Sequence, residues 1–191
     1  NAATTPMDFE VFKIMSKYFK NEYANPATLY SIGVTAKTKM ENARKKVAEI
    51  LGTRPDAIIF TGGGTEAINL ALLGFARKHK KNGKHIITTK VEHHAVLQTL
   101  NQLEKEGFVV TYLDVNSAGQ IDMDNFKKTL RKDTILVSVM YANNEIGTIF
   151  PIAGIGREIL KYRKENNTIY PIFHTDACQA GEYLDLNVEK L

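Results

Sequence analysis

The chain has 191 residues, 43% of them hydrophobic, which is enough for one sizeable hydrophobic core. The net charge is +4, but the lysines and arginines are scattered or lie on predicted helices, which argues against a nucleic-acid-binding surface. The single cysteine, Cys178, excludes an internal disulfide, and no apolar run is long enough to span a membrane. We therefore expect a cytoplasmic protein with no direct nucleic-acid or membrane partner.

The first part of the chain is predicted to be helical. Aromatic and aliphatic residues recur at helical spacing over residues 7–19, and a second helix is predicted over residues 35–51, ending at Gly52. Residues 21–33 lie between them, are rich in Asn, Pro and Thr, and are predicted to form a loop.

The most distinctive stretch is an apolar segment followed by three glycines. Residues 58–60 are predicted to form a buried strand, and the glycines at 62–64 a tight turn into a helix that carries Ile68 and Leu72 on one face. The free N–H groups at a helix start bind anions, and the Thr65 hydroxyl adds one donor. Three adjacent glycines are costly in chain entropy, so we predict a phosphate-binding site here and not an ordinary loop.

Two nucleotide-binding patterns fit this stretch less well. No Gly-Lys-Ser/Thr ending follows the glycines, so the turn is not a nucleoside-triphosphate P-loop. Gly62, Gly64 and Ala67 do satisfy a G-x-G-x-x-A pattern, but a histidine pair at 93–94 follows the next predicted strand where an acidic ribose-binding residue is expected. Dinucleotide binding is therefore kept only as an alternative.

Beyond this helix, short apolar strands alternate with helices. The predicted strands cover residues 85–89, 109–113, 134–140 and 169–174, and the predicted helices cover residues 93–106, 122–130 and 151–164. Unbroken apolar strands separated by helices are typical of a parallel sheet covered on both faces. The predicted fold class is α/β, a three-layer sandwich with a mostly parallel sheet.

Polar groups follow four of the predicted strands. They are the Gly-Gly-Gly-Thr run at 62–65, Glu92 with the histidines at 93–94, the Asn-Asn-Glu run at 143–145, and residues 174–179. Ligands of parallel sheets bind beyond the C-terminal ends of the strands. We therefore expect these groups to form one pocket with a phosphate site, an imidazole, an amide and a carboxylate.

A metal site and a nucleophilic cysteine are alternative interpretations of the same residues. His93 and His94 are adjacent and point in different directions, and no H-E-x-x-H pattern or cysteine pair is present, so no metal is expected. Cys178 lies four residues after His174, but the turn predicted between them is not expected to bring the thiol to a base. A small packed side chain is the expectation for this cysteine.

The polar set matches the needs of pyridoxal 5′-phosphate. The phosphate needs a helix N-terminus and hydroxyl donors, for which Thr65 is suited, and the ring needs a flat partner, for which His93 is suited. The pyridine nitrogen needs a carboxylate that keeps it protonated, and Asp176 can provide one. Asn144 and Gln179 can donate to the phenolic oxygen.

Six stretches extend this match over the chain. They are Asn-Ala-Ala-Thr-Thr-Pro at 1–6, Asn-Pro at 25–26, Phe-Thr-Gly-Gly-Gly-Thr-Glu-Ala-Ile-Asn at 60–69, Glu-His at 92–93, Asn-Asn-Glu-Ile-Gly at 143–147 and Asp-Ala-Cys-Gln at 176–179. In this order and spacing the sequence resembles the NifS/IscS-type cysteine desulfurases, members of the aminotransferase class V group with the type I pyridoxal-phosphate fold. The resemblance implies that the Gly64 N–H and Thr65 hold the cofactor phosphate.

The resemblance implies a role for each remaining candidate. His93 would stack on the cofactor ring and move protons, and Asn144 would face the cofactor and the substrate carboxylate. Asp176 would pair with the pyridine nitrogen, and Gln179 would bond the phenolic oxygen.

The resemblance also implies an activity. The family removes sulfur from L-cysteine, giving L-alanine and an enzyme-bound persulfide that supplies iron–sulfur scaffolds or tRNA thiolation, and its members act as homodimers. A selenocysteine lyase or another class V aminotransferase is one alternative. A non-catalytic scaffold or regulatory paralogue is the alternative from another functional class.

Several family features have no counterpart in the sequence. They are the cofactor-linking lysine in a Ser-x-His-Lys motif, the nucleophilic cysteine, a carboxylate-binding arginine and the C-terminal small domain. We therefore expect residues 1–33 to form an N-terminal arm, helix and loop, and residues 34–191 an incomplete pyridoxal-phosphate-binding large domain that is inactive alone. A family Asn-Pro-Ser-Ser-x-His motif ends in Tyr30 in this sequence, so that loop receives no role.

Overall fold

The computed structural model describes residues 4–190. In chain order its helices and strands are α1 (Phe9–Lys20), α2 (Ser31–Leu51), a short 3-10 helix (Pro55–Ala57), α3 (Gly64–His79), β1 (His85–Thr89), α4 (His94–Lys105), β2 (Val109–Leu113), α5 (Met123–Thr129), β3 (Thr134–Ser138), α6 (Ile152–Asn166) and β4 (Ile172–His174). These residues divide into two compact units, one running to Ile59 and including Asn187–Glu189, the other formed by Phe60–Leu186 with Lys190. Over residues 4–190, no helix combines the length and apolar character needed to cross a membrane.

The first unit is built on two helices. The Asp8 carboxylate starts α1 by accepting from the Glu10 and Val11 N–H groups at 2.8 and 3.1 Å. Helix α2 begins at Ser31, earlier than predicted, and ends at Gly52, whose left-handed backbone (φ 62°) is the predicted cap. No residue of α1 is buried, and large apolar side chains such as Phe19 (76% exposed) face outward.

The second unit contains a four-stranded, fully parallel sheet with strand order β2-β1-β3-β4. Ile86 and Ile87 are adjacent on β1 and face opposite sides, because side chains alternate along a strand. Ile86 belongs to a core cluster with α3 and α4, which contains Leu72 and Leu100. Ile87 belongs to a second cluster with α5 and α6, which contains Phe126. Two cores on either side of one sheet confirm the predicted three-layer α/β class.

A buried histidine connects three of the four strands. The His85 ring in β1 is bonded through Nδ1 to the Thr134 hydroxyl in β3 at 2.7 Å and through Nε2 to the Thr111 hydroxyl in β2 at 2.8 Å. Burial lowers the pKa of His85 to about 4, so the ring is neutral at neutral pH. This histidine is therefore a structural residue. It lies at the N-terminal ends of the strands, whereas the polar candidate residues follow their C-terminal ends.

Three strand predictions need correction, and the smallest is that β3 covers Thr134–Ser138 and not residues 134–140. Residues 58–60 do not form a buried strand: Ile59 is 70% exposed, and the Ile58 carbonyl accepts from the Arg44 guanidinium at 2.5 Å instead of from a neighbouring strand. Among the residues that the structure describes, 58–60 are not part of the sheet β2-β1-β3-β4. Strand β4 begins at Ile172 and not at 169, because Pro171 has no N–H group to donate to the ladder.

Candidate functional site

The predicted phosphate site lies at the start of α3. Gly63 precedes the first helical residue, Gly64, so the free N–H groups of the first turn face away from the helix. The turn is held by two bonds: the Gly62 N–H donates to Glu66 Oε2 at 2.6 Å, and the Thr61 hydroxyl donates to the Gly63 carbonyl at 3.1 Å. Thr65 is exposed, so its hydroxyl can reach a ligand.

Gly64 lies against the segment after β4. A Cβ atom at Gly64 would lie 2.7 Å from the Cys178 sulfur, so a side chain at this position would require the thiol to move. The Cys178 N–H in turn donates to Asp176 Oδ1 at 3.0 Å. The start of α3 and the Asp176 carboxylate are thus neighbours, as the strand-end argument predicted.

Asp176 is the buried acid of the site. It is 8% exposed, and its backbone carbonyl accepts from the Tyr141 N–H at 2.9 Å, which joins the segment after β4 to the segment after β3. A buried carboxylate is a suitable partner for a cationic ring nitrogen.

Cys178 does not behave as a nucleophile. Although the Cys178 residue is exposed, partial desolvation of its thiol, together with a hydrogen bond to Asp176 and that carboxylate's charge, raises the pKa of the thiol to about 11, so it stays protonated at neutral pH. The nearby His174 is bonded to the Ser138 hydroxyl at 2.9 Å, and burial lowers its pKa to about 4. The expectation of a packed side chain is wrong, because Cys178 is exposed beside the glycine turn.

His93 is exposed and also caps a helix. Its Nδ1 accepts from the Ala95 N–H at 3.1 Å at the start of α4. In the neutral ring the proton is therefore on Nε2, which is the atom available to a ligand. The His94 ring lies 6.3 Å away at a steep angle, so the two imidazoles do not face the same point.

Asn144 and Gln179 occupy the turns after β3 and β4. Asn144 is half-buried, and the turn is shaped by its neighbour Asn143, whose Oδ1 accepts from the Glu145 and Ile146 N–H groups at 2.9 and 3.0 Å. Gln179 is exposed in the turn that follows Asp176.

The residues present fit the cofactor inferred from the sequence. A bare glycine backbone at a helix start, next to an exposed Thr65 hydroxyl, suits a phosphate dianion. The buried Asp176 carboxylate, neighbouring that helix start through Cys178, suits the pyridine nitrogen of the same molecule. Within residues 4–190, three or more His, Cys, Asp or Glu side chains do not gather into a group that could hold a metal.

Sequence reasoning missed the contribution of two glutamates. Glu66 holds the glycine turn, and Glu92, 5% exposed, accepts from the Thr89 hydroxyl at 2.8 Å and the Met140 N–H at 3.0 Å. The signal for Glu66 was its place in the third position of a helix, from which a carboxylate can reach back to free N–H groups. The signal for Glu92 was an acidic residue at the end of a buried strand.

Comparison with known proteins identifies relatives over the whole sequence. The sequence is 50% identical to the cysteine desulfurase IscS of Dictyoglomus turgidum and 49% identical to that of Methanosarcina thermophila, in both cases over 100% of this chain and 46% of the relative. The chain thus spans about half the length of the curated relatives it matches.

Solved structures give the same result. A NifS-like protein superposes with a TM-score of 0.92 at 39% identity, over 99% of this chain and 50% of that one. SspA, solved in complex with cysteine, superposes with a TM-score of 0.89 at 35% identity, over 99% of this chain and 52% of that one. The family described as aminotransferase class-V matches residues 1–191, and the chain therefore belongs to the class-V aminotransferase family.

Proposed function

We propose that the protein is a pyridoxal-phosphate-dependent cysteine desulfurase that converts L-cysteine to L-alanine and an enzyme persulfide. The observation that carries the proposal is the contact of Gly64 in the glycine turn with Cys178, whose N–H donates to the buried Asp176 carboxylate. This contact supports a cofactor held between the proposed phosphate site and Asp176. The cysteine desulfurases among the relatives, at 49–50% identity, support the choice of reaction within the family.

In this proposal the cofactor is held at two ends. The Gly64 N–H and the Thr65 hydroxyl hold the phosphate, where the helix dipole also favours negative charge. Asp176 pairs with the protonated pyridine nitrogen, and Gln179 donates to the phenolic oxygen. When bound, the cofactor would supply an electron sink that stabilises negative charge at the substrate α-carbon.

The remaining roles fall on His93 and Asn144. The His93 ring provides a flat surface for the cofactor, and its Nε2 carries the exchangeable proton because Nδ1 is bonded to the Ala95 N–H. The Asn144 amide is proposed to face the substrate carboxylate from the turn after β3.

A product assay tests the proposal. The purified full-length protein, supplied with pyridoxal 5′-phosphate and L-cysteine, should release L-alanine, with sulfide in equal amount when a thiol reductant is present. L-Selenocysteine and a 2-oxo acid with an amino-acid donor are the comparison substrates. A higher kcat/KM for L-selenocysteine, transamination without sulfide, or no product with any substrate would instead support the selenocysteine lyase, the aminotransferase or the non-catalytic scaffold, respectively.

We also propose that the protein acts as a homodimer and passes its sulfur to an iron–sulfur scaffold or another acceptor protein. The large apolar side chains exposed on the first unit, including Phe9 (70%) and Phe19 (76%), support an association surface. The full-length protein should sediment as a dimer, and Phe19→Ser should shift it toward the monomer, whereas Lys17→Ser, on the same helix, should not. A fully active monomer would contradict the dimer proposal.

A further inference from the structure

Glu92 is a buried acid between β1 and α4 that has no part in the proposed binding of the cofactor. Its side chain has one bonded oxygen and one free one. Oε1 accepts from the Thr89 hydroxyl at 2.8 Å and from the Met140 N–H at 3.0 Å. Oε2 is buried and has no hydrogen-bond partner among residues 4–190. A buried carboxylate oxygen without a partner is costly, so the side chain needs either a proton on that oxygen or a ligand group beside it.

Glu92 lies in a series of hydrogen bonds that joins three strand ends. Thr89 ends β1, and Met140 lies in the segment after β3, so the carboxyl joins these two strand ends directly. The next residue, Tyr141, donates its N–H to the Asp176 carbonyl at 2.9 Å. Asn143 adds a second connection, because its Nδ2 donates to the carbonyl of Val91 at 3.1 Å.

These connections bear on the two groups assigned to the cofactor ring. His93 directly follows Glu92, and Asp176 is fixed through the residue next to Met140. A change in the position of the Glu92 carboxyl would therefore move the segment after β3 relative to the start of α4, and the Asp176 backbone with it.

The charge around Glu92 favours the protonated acid. Burial, with a smaller contribution from the negative charge of Asp176, raises the pKa of Glu92 to about 7, although its two hydrogen bonds act in the opposite direction. The donors that face Glu92 are the neutral Thr89 hydroxyl and Met140 N–H, and the ionisable group that acts on it is Asp176.

We propose that Glu92 is a positioning residue of the pocket: its carboxyl, carrying a proton on Oε2, fixes the segment after β3, and with it Asp176, relative to His93. This inference rests on the proposed function in one respect, the effect of Glu92 on the affinity for the cofactor. The effect of Glu92 on the pH dependence of stability is independent of the proposed function, because it is measured on the protein without cofactor.

The first test compares the pH dependence of unfolding in the cofactor-free protein. The pKa of Glu92 is raised on folding to about 7, so the stability that Glu92 contributes to the wild type is complete below its unfolded pKa and is lost as pH rises through about 7. Glu92→Gln carries a neutral amide at every pH. The difference in urea midpoint between this variant and wild type should therefore change across that window in favour of the variant.

Two features make this comparison specific. His85 and His174 have lowered pKa values and give their own pH dependence, but it is shared by both proteins and cancels in the difference. Glu165→Gln, on the exposed surface of α6, is the matched charge control and should show no such change. A difference between Glu92→Gln and wild type that is constant from about pH 5 to 8 would overturn the protonated Glu92.

The second test measures the binding of pyridoxal 5′-phosphate by absorbance titration at about pH 6. Glu92→Gln keeps an oxygen that accepts from Thr89 and Met140, and should bind within about threefold of wild type, whereas Glu92→Ala should bind at least about tenfold more weakly. Glu92→Asp, which is too short to keep both bonds, should also bind more weakly and serves if the alanine variant does not fold.

The results separate the inference from the proposed function. If Glu92→Ala or Glu92→Asp is folded by circular dichroism and binds the cofactor as wild type does, Glu92 does not position the pocket. If the wild type itself does not bind the cofactor, the proposed function fails, while the pH comparison still decides whether Glu92 carries its proton.

Discussion

Replacing Asp176 by asparagine should lower the rate of alanine formation from L-cysteine by roughly a hundredfold to a thousandfold. The amide has the shape of the carboxylate and can still accept from the Cys178 N–H, so the fold is kept. It lacks the negative charge that would hold a proton on the pyridine nitrogen, and the electron sink is lost with that proton. The loss should appear in kcat, measured at saturating cofactor.

Two further measurements make the Asp176 result decisive. Asp176→Ala removes the acceptor as well, so the Cys178 N–H loses its partner and the variant should also be less stable by about 1–3 kcal/mol in urea unfolding. Asp185→Asn, an acid that pairs with Lys190, is a charge-matched control and should retain activity. A folded Asp176→Asn enzyme with near-normal turnover would remove Asp176 from the proposed mechanism.

The layer architecture could be predicted because it depends on local pattern. Strands β1 to β3 consist mainly of apolar and β-branched residues, and each is followed by a helix with an apolar face, a pattern typical of a covered parallel sheet. The strand order β2-β1-β3-β4 could not be predicted in the same way, because it depends on which hydrophobic faces pack together after the chain has turned back.

Residues 58–60 show where local pattern misleads. Ile58, Ile59 and Phe60 have the composition of a strand, yet the segment is open to solvent and its first carbonyl accepts from Arg44. Composition gives the tendency to be extended, whereas a strand also needs a neighbour in register.

The candidate site was predictable at the level of strand ends but not of side-chain contacts. The rule that ligands lie beyond the C-terminal ends of parallel strands grouped Gly64 with Asp176, and in the structure Cys178 lies against Gly64 and donates its N–H to Asp176. The contact of Cys178 with Gly64 and the hydrogen bonds of Glu92 to Thr89 and Met140 could not be predicted. They depend on distances in the folded chain, which the residue types alone do not determine.

The role of His93 can be separated from its structural role by choice of substitution. The ring caps α4 through Nδ1, so a lower activity could reflect either a weakened helix start or a lost proton carrier. His93→Asn keeps a good capping residue and loses the flat ring and the exchangeable proton. His93→Phe keeps the flat ring but loses the exchangeable proton. It also loses the helix cap, which should lower the stability by about 1 kcal/mol.

If His93 stacks on the cofactor and transfers protons, the two variants should differ in a defined way. His93→Phe should bind pyridoxal 5′-phosphate nearly as well as wild type, whereas His93→Asn should bind it more weakly, because only the first offers a ring surface. Both should lose roughly a hundredfold to ten-thousandfold in kcat, which is the usual contribution of a positioned acid or base. His94→Phe is the matched control, since His94 is also exposed and its ring lies at a steep angle to that of His93. Wild-type turnover in His93→Phe would leave His93 as a helix cap, and a loss confined to His94→Phe would move the proton-transfer role to the second histidine.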